Sequence, residues 1–174
     1  MSHDERTVGK QFLETTTATL QRMKAQAEKA MAQVGDDSRL YSALDPESNS
    51  IAVLIRHLSG NMRSRWSDFL TTDGEKPTRD RDGEFEPTRL GRAELMAEWE
   101  SGWACLFQAL AALTPANLGD PVRISGKEMP ALEAIVRQFE HYASHAGQIV
   151  LLAKHLSGER WQAITVPRRR PSRA

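Results

Sequence analysis

Apolar residues recur three and four apart along four separate stretches of this chain, and that interval belongs to a helix with one buried face. Val8, Phe12, Leu20, Met23, Ala27, Met31 and Val34 mark the first stretch. They predict a helix over roughly 5–34, stopped by Gly35 and the polar Asp36-Asp37-Ser38. Asp45-Pro46 marks a turn, after which Ser48 or Ser50 is placed to cap a second helix. Ile51, Leu54, Ile55, Leu58 and Met62 form its stripe, and Val53, His57 and Asn61 line the flank. This helix is expected to run through Trp66 to Leu70. Thr88 is placed to cap a third, with Leu90, Leu95, Trp99, Trp103, Leu106, Leu110 and Leu113 inward and Thr114-Pro115 at its end. A fourth follows Pro130, turns Leu132, Ile135, Val136, Phe139, Tyr142, Ile149 and Leu152 to the core, and is closed by Gly158.

Two connections stand out. Thr71 to Thr88 is half charged, contains Gly74, Pro77, Gly83 and Pro87, and offers Phe85 as its one large apolar anchor. Loops of this length in a compact domain tend to serve a function. Asp120 to Met129 is short, partly alternating and turned at Ser125-Gly126, which reads as a small hairpin. The expected architecture is all-α: a four-helix bundle forming one domain over 1–174, with 168–174 a flexible basic tail.

Charge narrows the function. Lys plus Arg and Asp plus Glu are 23 each, which argues against nucleic acid as the main partner. No apolar run approaches the ~20 residues of a membrane span. The polar start and the single cysteine, Cys105, fit a soluble cytoplasmic protein without a secretion signal. Cys105 lies in an apolar stretch and reads as buried and inert. Trp66, Trp99 and Trp103, with Met62 and Phe69, are more apolar bulk than one core needs, which predicts a homodimer that buries some of it.

The chemistry sits in the histidines. His141 and His145 are four apart on the fourth helix, so their imidazoles share a face one turn apart. An isolated pair at this spacing is ordinarily a packed polar pair. What lifts it is a third histidine, His57, on the core flank of the second helix. Three neutral imidazoles on facing helices suit a divalent ion with open coordination positions. His155 lies about 15 Å along the helix from His145, too far to share an ion, and His3 sits in the terminal segment. Glu140, beside His141, is the nearest carboxylate in sequence but points about 100° away around the helix.

The blocks Asn49 to Met62, Arg65 to Pro77 and Arg79-Asp80-Arg81-Asp82, with His141 to Ile149, resemble the DinB-like (YfiT-like) metal-binding four-helix bundles, and most closely their DUF1572 branch. The resemblance covers most of residues 5–166. It implies a bundle with one metal histidine on the second helix and two on the fourth, at the positions of His57, His141 and His145. It also implies nickel or zinc at the site and a homodimer. Some members of the superfamily are thiol S-transferases or isomerases that use bacillithiol, mycothiol or glutathione. The leading expectation is therefore a metal-dependent thiol S-transferase, with a low-molecular-weight thiol and a small electrophile as partners. The alternatives are a non-enzymatic, metal-binding or stress-associated dimer, and third a metal hydrolase. The Arg79-Asp80-Arg81-Asp82 run reads as a solvated turn or a lid over the metal.

Overall fold

The structure is a computed structural model and describes residues 3–166. Four helices carry it: α1 (His3–Met31), α2 (Ile51–Trp66), α3 (Arg92–Ala112) and α4 (Ala131–Ser157). A two-stranded antiparallel sheet, β1 (Pro121–Ile124) and β2 (Lys127–Pro130), precedes α4. The hairpin turns at Ser125-Gly126, where both residues have positive φ. Helix α2 packs chiefly on α3, α1 on α4, and α2 on α4 where the histidines meet. The expected basic tail at 168–174 lies outside the described residues.

The core runs the length of this packing. Leu20, Ile55, Leu58, Met62, Leu95, Trp99, Trp103, Leu106, Tyr142 and Ile149 are all buried. Burial of this kind is worth about 1.5–3 kcal/mol for each large side chain, which is how Thr15-Thr16-Thr17 stays helical inside α1. Gly102 lets α2 and α3 approach: a Cβ there would sit 2.8 Å from the Ser59 Cα. Trp66, Trp99 and Trp103 are no more than 2 % exposed. The bulk expected to need a dimer interface is therefore enclosed by the single chain.

Several boundaries differ from expectation. Helix α2 ends at Trp66 rather than Leu70, because Asp68 adopts φ 50 and its carbonyl accepts from the Thr71 and Thr72 amides. Helix α3 starts at Arg92, not after Thr88. The Leu90 carbonyl accepts from the Tyr41 hydroxyl, and the Gly91 amide donates to Glu94 Oε2 at 2.7 Å. Leu132 and Val136, expected inward on α4, are 41 % and 49 % exposed, and Val8 on α1 is exposed as well. Trp161 and Ile164 pack back on the core while Val166 stands exposed. No helix among the described residues is long and apolar enough to cross a membrane.

Candidate metal centre

Ser50 starts α2 by accepting the Val53 amide with its hydroxyl. His57 follows two turns in and is buried. Helix α4 starts after Pro130, with the Ala131 amide donating to the Asp120 carbonyl. It brings His141 and His145, both half-buried, against His57. The register between the two helices is set just behind the site. Trp66 Nε1 donates to the Tyr142 hydroxyl at 2.9 Å, and that hydroxyl donates to Asn61 Oδ1 at 2.9 Å, all buried.

The three imidazoles form a near-equilateral triangle. Ring centroids lie 5.2 Å (His57–His141), 5.1 Å (His57–His145) and 4.7 Å (His141–His145) apart, and each pair of planes is close to perpendicular. One nitrogen from each ring lies within 4.8 Å of the other two. His57 Nε2 and His141 Nε2 are 3.1 Å apart, against roughly 3.3 Å for two nitrogens on a tetrahedral zinc. A proton can bridge two such nitrogens but not three, whereas one divalent ion can take all three. The set fits a metal.

The second nitrogen of each ring decides how the first is presented. His57 Nδ1 lies 3.0 Å from Glu84 Oε2, and a carboxylate can only accept, so Nδ1 carries a hydrogen and Nε2 is the nitrogen whose lone pair a metal would take. His145 Nδ1 lies 2.8 Å from Gln148 Oε1, which directs its other nitrogen inward in the same way. His141 Nδ1 is buried with no partner among the described residues. Burial, then the proximity of His145, His57 and Arg79, pushes the His141 pKa down to about 3. Burial lowers that of His145 too, against the opposing pull of Gln148. Both are therefore neutral near pH 7, the state a metal ligand requires.

Glu84 belongs to the long connection, which is folded rather than loose. Arg79 grips it twice, Nε to Oε1 at 2.7 Å and a terminal nitrogen to Oε2 at 2.8 Å. Burial alone would raise the Glu84 pKa, but the bonds from Arg79 and His57 outweigh it and hold the carboxyl below its ordinary range. Gly60 makes the approach possible: a Cβ there would lie 2.0 Å from Glu84 Oε1. The same connection is tied to the hairpin. Asp73 accepts the Ser125 amide at 2.9 Å and the Gly126 amide at 2.7 Å, and the Gly74 amide donates to the Arg123 carbonyl at 2.8 Å. Phe85, expected to anchor the loop, is 41 % exposed and instead lays its ring 5.0 Å from that of His57.

Loop, hairpin and α4 together wall a cavity of about 530 Å³ that His57, His141 and His145 line. In the Arg79-Asp80-Arg81-Asp82 run, Arg79 and Arg81 line this cavity, while Asp80 caps the turn by accepting the Gly83 amide. Glu140 is exposed and is not among the lining residues. His155 is exposed near the far end of α4. Cys105 is half-buried, 3.5 Å from Ser67 Oγ, at a separate cavity. Sequence reasoning finds the three histidines but misses Glu84. Its available signal is indirect: a glycine inside a helix one turn after a candidate ligand, which marks a close approach.

No curated protein and no solved structure matches the chain. A family model described as a protein of unknown function, DUF1572, matches residues 7–170. With nearly its whole length matched, the chain belongs to the DUF1572 family.

Proposed function

We propose that this chain is a DinB-like four-helix bundle that holds one divalent ion, zinc or nickel, on His57, His141 and His145 and works as a metal-dependent thiol S-transferase on a small electrophile. The observation that carries the reading is the convergence of three imidazole nitrogens within 4.8 Å at the wall of an open cavity. When bound there, such an ion supplies a Lewis acid able to hold a thiol deprotonated at neutral pH. The chain's own contribution is presentation. Glu84 and Gln148 orient two of the rings, and Phe85 shields one side of His57.

Transfer is favoured over hydrolysis by the state of the nearby carboxylates. Glu84 is bound by Arg79 and His57, and Glu75 is bound by Arg65 at 2.7 Å. Both carboxyls are thereby held below their ordinary range, which makes each a weak general base. A cytoplasmic location and a homodimer complete the reading. Its rival is a non-enzymatic metal-binding protein.

Thiol binding separates the two. Cobalt- or nickel-loaded protein should give a sulfur-to-metal charge-transfer band with one of bacillithiol, mycothiol, glutathione or cysteine, and the His57→Ala variant should not. Conjugation of that thiol to a generic electrophile should exceed background only when metal is present. Silence with all four thiols, in protein shown to be fully loaded, supports the non-enzymatic reading and removes the transferase.

A further inference from the structure

The cavity over the histidines carries more positive charge than the fold uses. Arg65 and Arg79 also line it, but Glu75 and Glu84 compensate them. Arg81 and Arg137 are different. Both are exposed, both line the cavity, and neither guanidinium has an ion pair or hydrogen bond among the described residues. The wall therefore keeps two uncompensated guanidinium charges before any metal is counted.

A second observation points to a ligand independently. Gln138, one turn before His141, is 5 % exposed, lines the cavity, and its Oε1 is buried without a partner. Arg65 Nε is buried and unpartnered at the same cavity. Buried polar atoms are normally satisfied; with the His141 Nδ1 described above, three unpartnered atoms belong to side chains that line this one polar cavity, which marks it as a place for a polar ligand. The volume, about 530 Å³, is in the ordinary range for a small-molecule site.

We propose that this cavity binds a small anionic molecule, with Arg81 and Arg137 holding its carboxylate or phosphate group and Gln138 taking an N–H or O–H of the same molecule. The proposal rests on the reading of the histidine site as a substrate-binding metal centre and names the charge class of what enters it. Guanidinium groups suit either anion through paired N–H donors. The substrate therefore carries negative charge on the part remote from the reacting atom, and neutral analogues of the same size bind poorly.

The test is calorimetric titration of the full chain at low salt, both chelator-stripped and nickel-loaded, with inorganic phosphate, succinate and, as the neutral control, succinamide. Wild type should bind at least one of the two anions and not succinamide. The tighter anion then identifies the group as phosphate or carboxylate. Arg81→Gln and Arg137→Gln should each weaken that binding about tenfold. Their melting temperature and metal content should stay at wild-type values, because neither side chain holds the fold together. Gln138→Leu should weaken binding of an anion that also carries an N–H or O–H, such as malate, more than that of succinate. Binding of neither anion to wild type would overturn the proposal, and so would undiminished binding in the double arginine variant, which would mean that the metal alone holds the anion. The two readings fail separately. Arginine-dependent succinate binding without any thiol band removes only the transferase. A thiol band in wild type, together with anion binding that the double arginine variant leaves undiminished, removes only the anion site.

Discussion

A buried carboxylate behind a metal histidine has two duties here, and both can be measured. Glu84 fixes the tautomer of His57 and neutralises Arg79, whose side chain is only 5 % exposed. Glu84→Gln should weaken metal affinity by about 10- to 100-fold in a chelator competition. It should also cost on the order of 2 kcal/mol of stability, because Arg79 is left buried without its counter-charge. Gly60→Ala should act in the same direction by displacing Glu84, although position 60 touches no ligand. Unchanged metal affinity in both variants would mean that Glu84 does not orient the site. The histidines make a pH prediction for the metal-free chain. The unfolded chain takes up a proton at His141 as pH falls through about 6.5, whereas the folded chain refuses it until about 3. Stability should therefore be level above pH 7 and fall as pH drops from about 6.5 toward 3. Urea midpoints at pH 7.5, 6 and 5 should decline, and His141→Gln should flatten the decline. Residues like Glu84 are hard to find in a sequence because they act through side-chain bonds to distant positions and follow no period. The histidine pair declares itself by the helical repeat alone.

At the scale of elements, the connection between α2 and α3 is what turns three histidines into a walled site. Its fixed points are the Asp73 carboxylate on the hairpin turn, the Gly74 carbonyl accepting from Ser64 Oγ at 2.7 Å, and the Arg79–Glu84 pair. Asp73→Ala removes two backbone-to-carboxylate bonds across the hairpin. Amide exchange in residues 74–84 and 123–127 should then speed up roughly tenfold or more, with α1 amides unaffected. Equal exchange in variant and wild type would show that the loop is held elsewhere. The hairpin itself is legible in sequence, since Pro121, the alternation of Val122 and Ile124, and Ser125-Gly126 are local signals. The ends of α2 and α3 are less so. A left-handed Asp68 and a carbonyl captured by Tyr41 decide them, and these depend on backbone geometry and on a residue 49 positions away. The exposed Leu132 and Val136 mislead for a related reason: helical spacing shows a stripe, but not which part of it the neighbours reach.

For the molecule as a whole, the pattern of four apolar stripes was enough to place four helices, because each stripe must be buried against another. It could not show how the interior divides between one chain and two. The tryptophans are enclosed within the chain, and the exposed large apolar side chains include Val8 on α1 and Leu132, Val136 and Leu151 on α4. A homodimer remains our expectation. Light scattering at micromolar concentration should give twice 19.5 kDa, and a monomer mass would remove the dimer without touching the site. The central claim is that His57, His141 and His145 hold an ion together, and metal content tests it most directly. Wild type loaded with zinc or nickel, desalted and measured by elemental analysis, should retain about one ion per chain, whereas the variant with all three histidines changed to alanine, shown to be folded, should retain almost none. Equal occupancy in the two proteins would contradict the account.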